Sequence, residues 1–391
     1  MVQVASLFNQ LLQHFPRLEF AALVKKHKAE RAAKGFDCWT QFVAMLFCQL
    51  GHADSLREIC NGLSCCLGKL VHLGIAQAPN KSTLSYANEH RPAALYQDLF
   101  YTVMARFREP QSLGARQRPF RFKNKLLSLD STTVSLCLTL FPWAKFRRTK
   151  GGVKAHVLLD HDDYLPRYVL ITAARASDVR IAHRFDLPPG SIVAMDRGYN
   201  DYRLFSRWIE GGVFFVTRPL CNMVHHVLES RPVPQHSQIR SDQIIQFTSK
   251  HARQTFKHRL RRIVVWDAEQ QREIVLLTNH FDFGATTIAN IYKDRWQIEL
   301  FFKALKQNLK IKSFVGTSEN ALHIQIWTAL LAMLLLKWLH HLSQAHWSLS
   351  NLATMLRLNL FTYRDLRQWL KNPFGTPPLV PRPQQLVLAL A

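Results

Sequence analysis

Apolar positions in the first 110 residues recur at helical spacing. The clearest run is Trp39, Phe42, Val43, Leu46, Phe47 and Leu50, three or four apart, as one buried helix face requires. No alternating run interrupts them, so residues 1–110 are predicted to be helical. A connector rich in Pro, Gln and Arg, Glu109-Pro110-Gln111 through Arg118-Pro119, closes this stretch. Short apolar runs follow. Leu126–Leu129 leads to Asp130, Val153–Leu159 alternates toward Asp160, and Arg167–Thr172 carries Tyr168, Val169, Leu170 and Ile171. These predict three successive strands with turns between them, one at Gly151-Gly152. Ser177 or Asp178 is placed to cap a short helix through Phe185. Ser191–Met195 predicts a compact strand ending at Asp196, Asp201–Glu210 a helix, and Val213–Thr217 another strand. Three strands, helix, strand, helix, strand describes a mixed α/β layer rather than a doubly wound sheet.

From Leu220 to Asn279 the chain is basic and strand-like, with strands expected at Arg262–Asp267 and Glu273–Thr278 around a turn at Ala268–Arg272. One long helix is expected from Ala285 to Gln307, then an apolar helix over 322–340. The end is rich in Pro (Pro377, Pro378, Pro381, Pro383). The expected organisation is therefore a helical domain at 1–110, a catalytic core at 119–219 and 285–340, and a β-rich basic insertion at 220–284 between its halves. A helical segment and tail at 341–391 completes it.

Composition narrows the partner. The 391 residues are 48% hydrophobic, ample for a buried core, and 51 Lys and Arg against 27 Asp and Glu leave a formal charge of +24. Such a surplus points to a polyanion, and nucleic acid leads. The most apolar stretch, Ile326–Leu336, stops at Lys337, short of the roughly 20 residues a membrane span needs. A buried helix, and no membrane, is expected. The start, MVQVASLFNQ, lacks the pattern of a signal peptide, and the seven cysteines contain no C-x-x-C pair. Neither a disulfide framework nor a zinc ribbon is indicated, and reduced thiols in a cytoplasmic protein fit best.

Three acids are candidates for chemistry. Asp130 and Asp196 each follow a buried strand, which holds an acid rigidly toward a cleft; each also fits an ordinary turn. Glu299 shares a helix with Tyr292, Arg295 and Lys306. At 100° per residue these four fall within an arc of about 60°, beside the apolar face of Ile298, Phe301, Phe302, Leu305 and Leu309. That stripe suits the wall of a cleft or a solvated salt-bridge face. Together, three carboxylates are what two-metal phosphodiester cleavage needs, and hard oxygen donors suit Mg²⁺. Two basic clusters have phosphate-binding character or form solvated faces. One is Lys145, Arg147, Arg148, Lys150 and Lys154; the other is Lys250, Arg253, Lys257, Arg259, Arg261 and Arg262. Asp160, Asp162 and Asp163 read as loop acids.

The Y-x2-R-x3-E-x6-K pattern at Tyr292, Arg295, Glu299 and Lys306 resembles the signature of the insertion-sequence family four transposases. Asp196, Gly198 and Tyr199 resemble that family's D-x-G-Y block, and Asp130 in LDST its first acid. The likeness covers residues 120 to 340, and STLSYANEHR at 82–91 resembles the N-terminal domain of one branch. It implies an RNase H-like core with catalytic, metal-holding Asp130, Asp196 and Glu299, and two Mg²⁺ ions for which Mn²⁺ can substitute. Tyr292, Arg295 and Lys306 would contact DNA phosphates. The implied reaction is cleavage at terminal inverted repeats, hairpin formation and strand transfer into target DNA, by a homodimer in the synaptic complex of a bacterial, nucleoid-associated protein. A Trp of the insertion holds a flipped base in such enzymes, and Trp266, beside Arg259, Arg261 and Arg262, is the candidate. A catalytically inactive repeat-binding regulator and an RNase H-like nuclease without strand transfer remain alternative readings.

Overall fold

In a computed structural model of the chain, the described residues are 5–377 apart from 32, 34, 67, 109–119, 148–149, 222 and 250–253. They fall into two compact units, Met1–Ala115 with Ala304–Ala391, and Arg116–Lys303. The first is helical and begins with α1 (Leu7–Leu12), α2 (Arg17–Lys26), α3 (Cys38–Gly51), α4 (Leu56–Ser64), α5 (Lys81–His90) and α6 (Ala94–Phe107). Local signals start these helices where they do. The Asp37 carboxylate accepts from the Thr40 N–H at 2.7 Å ahead of α3, and Ser55 Oγ accepts from the Glu58 N–H at 3.2 Å ahead of α4. The Glu58 side chain in turn accepts from the Asp54 N–H and from the Ser55 hydroxyl. Helix α3 is buried on nearly every side, which is why its sequence is apolar almost all round.

The second unit is one ten-stranded mixed sheet. Its strands are β1 (Leu126–Leu136), β2 (Lys145–Arg147), β3 (Lys150–Asp160), β4 (Pro166–Ala173), β5 (Ile192–Met195) and β6 (Phe214–Thr217). They continue with β7 (His225–Ser230), β8 (Ile239–Phe247), β9 (Leu260–Asp267) and β10 (Arg272–Thr278). The order is β2-β3-β1-β5-β6-β10-β9-β8-β7, with β4 also paired to β3. Strands β1, β3 and β4 are antiparallel, β5 and β6 run parallel to β1, and β7 to β10 form an antiparallel meander. Helices α7 (Asp178–Ala182) and α8 (Tyr202–Glu210) cover one face, where Ile181, Leu204, Phe205 and Trp208 meet Leu127, Leu129, Val193 and Met195. Helix α9 (Ala285–Asp294) covers the other, where Ile288 and Ile291 meet Leu126, Ile192 and Ala194. Helix α10 (Trp296–Asn308) follows at once and carries the chain into the helical unit. There α11 (Glu319–Leu342) lies against α3, α5 and α6, followed by α12 (Leu349–Asn359) and α13 (Leu366–Lys371).

Several expectations are corrected. Gly151-Gly152 is not a turn but the start of β3, opposite Leu136 and Ser135 of β1. A Cβ on Gly151 would come within 2.9 Å of Leu138 Cδ2, and one on Gly152 within 3.0 Å of the Val134 carbonyl, so glycine is needed for close approach. The single helix expected over 285–307 is broken at Arg295. The β-rich insertion continues the core sheet, because β10 pairs with β6. The apolar helix assigned to the core at 285–340 joins the helical unit instead, since its apolar surface is matched by α3 and α6. It spans 24 residues, Glu319–Leu342, slightly longer than the expected 322–340. By length and composition alone it could cross a membrane, but its most apolar window is 83% buried inside the fold.

Candidate active site

Strand register brings the first two acids together. Parallel β1 and β5 pair from Leu126 with Ile192 to Leu129 with Met195. Asp130 and Asp196 each directly follow the last pair in that register, and the charge of Asp196 is felt at Asp130. Strand β5 stops at Met195 while β1 continues to Leu136, so Asp130 lies inside a strand and not at its end as expected. Side chains alternate across a sheet, which puts Ser128 and Asp130 on the face of Leu126 and Asp196 on that of Ala194. This is the face that α9 covers.

The break at Arg295 brings in the third acid. Arg295 Nη2 lies 2.7 Å from Glu299 Oε1, Nη1 lies 3.8 Å from Asp130 Oδ2, and the guanidinium stands 5.5 Å from the centre of the Tyr292 ring. Arg295 Nε is buried with no hydrogen-bond partner among the described residues. Burial pushes the Asp130 carboxyl up to about 6, against the Ser131 N–H and Arg295; the charges of Asp196 and Glu299 raise it further. Tyr292 is raised as well, by burial first, with Asp196 adding to it against Arg295. The three carboxylates, Arg295 and Tyr292 thus share one electrostatic neighbourhood.

This donor set is all carboxylate oxygen and its negative charge is only partly neutralised, which suits a hard divalent cation. Among the described residues, however, no three His, Cys, Asp or Glu stand close enough together to grip an ion as they are. Arg295 lies between Asp130 and Glu299, paired with both.

The remaining expected residues are scattered. Lys306 is half-buried on α10, in the part belonging to the helical unit, and burial followed by the charge of Lys312 lowers its pKa. Lys154 is committed to Asp178 at 3.0 Å. Arg261 is corrected: only 2% exposed, it pairs with Asp242 at 2.6 Å and donates to the carbonyls of His280, Phe281 and Phe283, leaving nothing for a phosphate. Arg262 donates to Gln243, and Arg259 is exposed. Trp266 is half-buried on β9, with Arg240 5.6 Å from its ring centre. Arg148, Lys250 and Arg253, and the side chains of Arg147 and Lys150, lie outside the described residues. Asp160, expected in a loop, instead ends β3, and it and Asp162 both pair with Lys125, at 2.6 Å each.

Two polar arrays were not anticipated. On the α7 face, Asp178 accepts from Ser131 at 2.8 Å and from Lys154, with His156 Nδ1 at 3.3 Å. On the α9 face, Ser128 Oγ lies 2.6 Å from His161 Nε2, and His161 Nδ1 lies 2.6 Å from Asp294 Oδ2. A buried Ser inside an apolar run, LLSLD, was the only sequence signal for the second.

Residues 121–335 match the family described as "Transposase DDE domain", and residues 3–76 a domain of unknown function, DUF4372. The chain is 32% identical over 293 residues to a putative transposase of Sinorhizobium fredii, covering 74% of this chain and 80% of the relative. It is also 32% identical over 226 residues to the probable transposase for insertion sequence element IS5377 of Geobacillus stearothermophilus, covering 57% of this chain and 59% of that one. A solved piggyBac transposase synaptic complex with hairpin DNA aligns over 94% of this chain and 81% of that chain, at a TM-score of 0.45 and 9% identity. The family match is to enzymes that act on DNA. The chain belongs to the DDE transposases of insertion sequences, with the domain pairing typical of family four, a class that depends on divalent metal.

Proposed function

We propose that this transposase binds the terminal inverted repeats of its own insertion sequence, cuts the element out through a DNA hairpin and joins it to target DNA. The observation that supports the reading is the register of parallel β1 and β5, which Asp130 and Asp196 directly follow, with Glu299 tied to Asp130 through Arg295. The order β4-β3-β1-β5-β6, antiparallel and then parallel, supports an RNase H-like core.

In this reading Asp130, Asp196 and Glu299 hold two Mg²⁺ ions, or Mn²⁺ in their place. The ions supply activation of a water or 3′-hydroxyl and neutralise charge on the departing oxygen. Arg295 leaves Glu299 and takes a DNA phosphate, for which its planar fork is suited. Tyr292 backs the guanidinium with its ring. Lys306 and exposed Arg259 add phosphate contacts, and Arg262 does so once freed from Gln243. Trp266 is the candidate for stacking on a flipped base, in competition with Arg240. The working form is a homodimer pairing two element ends, in the bacterial cytoplasm at the nucleoid.

The test is cleavage of DNA carrying the element's ends. With Mg²⁺ the wild type is expected to nick, and Glu299→Gln to bind that DNA without nicking it. Undiminished cutting by Glu299→Gln would remove this acid from the mechanism. Cleaved ends that never join target DNA would reduce the protein to a nuclease.

A further inference from the structure

The Ser128, His161 and Asp294 array has the connectivity of a hydrolytic triad: hydroxyl to imidazole at 2.6 Å, imidazole to carboxylate at 2.6 Å. It cannot act as one. Ser128 is 0% exposed and His161 3%, so no substrate reaches the hydroxyl. Its position in the fold says what it does instead. Ser128 precedes Asp130 by two residues on the same face of β1. His161 directly follows β3 and is held by its own N–H to the Leu126 carbonyl at 3.1 Å, and Asp294 is the last residue of α9. The next residue is Arg295, where the helix breaks and from which both Asp130 and Glu299 are reached. The contacts close a ring: Ser128 to His161 to Asp294, along the backbone to Arg295, and back to Asp130 two residues from the start.

We infer that Ser128, His161 and Asp294 form a buried positioning relay that sets the α9–α10 junction, and so Arg295 and Glu299, at a defined place relative to Asp130. The chemistry suits a rigid tie. An ionised Asp294 only accepts, so a neutral His161 keeps its proton on Nδ1 and its Nε2 accepts the Ser128 hydroxyl. Every polar atom of the imidazole is then used, inside a packed interior where a displaced ring would leave buried groups unsatisfied. Helix α9 is otherwise held on this face by apolar contacts, which lack direction. The relay supplies direction at the end of the helix where the acid-bearing turn begins. Asp294 also receives the Tyr164 hydroxyl at 3.4 Å, a second hold on the same carboxylate.

The inference rests on the proposed role of Asp130 and Glu299 as metal-holding acids, and the experiment separates the two. Full-length wild type, Glu299→Gln, His161→Phe, Asp294→Ala and Asp294→Asn would be titrated with Mn²⁺ by electron paramagnetic resonance, without DNA. Their melting temperatures, and the Mg²⁺ concentration for half-maximal nicking of end-bearing DNA, complete the measurement. Asp294→Ala is expected to weaken Mn²⁺ binding about tenfold and to raise the Mg²⁺ requirement similarly while staying folded, in the range typical of groups that orient metal ligands. Asp294→Asn, which keeps an acceptor for His161, should recover most of both. A merely structural role predicts a lower melting temperature with unchanged metal dependence in the folded protein, and that result would overturn the relay. Should His161→Phe not fold, Asp294→Ala decides alone, since its side chain is 17% exposed. If Glu299→Gln binds Mn²⁺ as the wild type does, the functional reading fails and takes the relay with it. If Glu299→Gln weakens binding and Asp294→Ala does not, only the relay fails.

Discussion

Asp130 and Asp178 lie on opposite faces of the same sheet, linked through neighbouring residues of one strand, and their surroundings treat them oppositely. Asp130 is desolvated, receives one N–H from Ser131, shares Arg295 with Glu299, and has two other carboxylates nearby; its carboxyl rises to about 6. Asp178 is also desolvated, yet His156, Lys154 and Ser131 together outweigh that and hold it well below the usual carboxylate range. One acid is satisfied by its own protein and the other is left in want of positive charge. Burial alone does not mark a reactive carboxylate; the balance of partners around it does.

The comparison can be broken most forcefully by neutralising each acid. Asp130→Asn is expected to cut metal-dependent nicking by more than about 100-fold, beyond the loss typical of residues that only orient ligands. Asp178→Asn should leave nicking by the folded protein within a few-fold and act on stability instead. An equal loss of nicking in both would erase the distinction. The second effect, in denaturant melts, is a destabilisation by Asp178→Asn of about 2 kcal/mol, the scale of a hydrogen bond to a charged group.

The third test is pH. Asp130, raised in the folded state, adds stability that is fully present below its unfolded pKa and is lost as pH climbs from about 4 to about 6. Asp178, depressed in the folded state, adds stability that is present above the ordinary carboxylate pKa and is lost as pH falls below it. Melts of Asp130→Asn should therefore gain on the wild type between pH 4 and 6, whereas Asp178→Asn should lose least at the acid end. The smallest effect concerns the insertion. Arg259→Ala should reduce the salt dependence of DNA binding by about one ion, while Arg261→Ala should lower the melting temperature instead. A matching change in salt slope from Arg261 would contradict its burial.

Much of the sheet was legible because its strands are apolar runs ended by turn residues; β1, β3, β4, β9 and β10 contain the stretches expected, and β5 and β6 begin one residue later than expected. Strands β7 and β8 were not, since HHVLES and IRSDQIIQF carry too many polar residues to stand out and owe their conformation to pairing with each other and with β9. The helix break at Arg295 was hidden as well: no Gly or Pro marks it, and Tyr292, Arg295 and Glu299 keep helical spacing through it. Motif spacing singles out the three acids in the sequence, and their role stays a proposal. Arg261 was misread because a charge in a strand looks the same whether it faces water or Asp242. The His161 relay joins residues 33 and 133 positions apart, and only the folded chain reveals it.

The pairing of β6 with β10 has an evolutionary consequence. Thr217 and Leu277 are register partners, so the excursion through β7, β8 and β9 leaves and re-enters the core side by side. A loop anchored at two adjacent points can be lengthened, trimmed or exchanged for another fold while the chain still arrives at α9 in the same place. The inserted strands and the rest of the sheet are therefore free to diversify at different rates within one polypeptide.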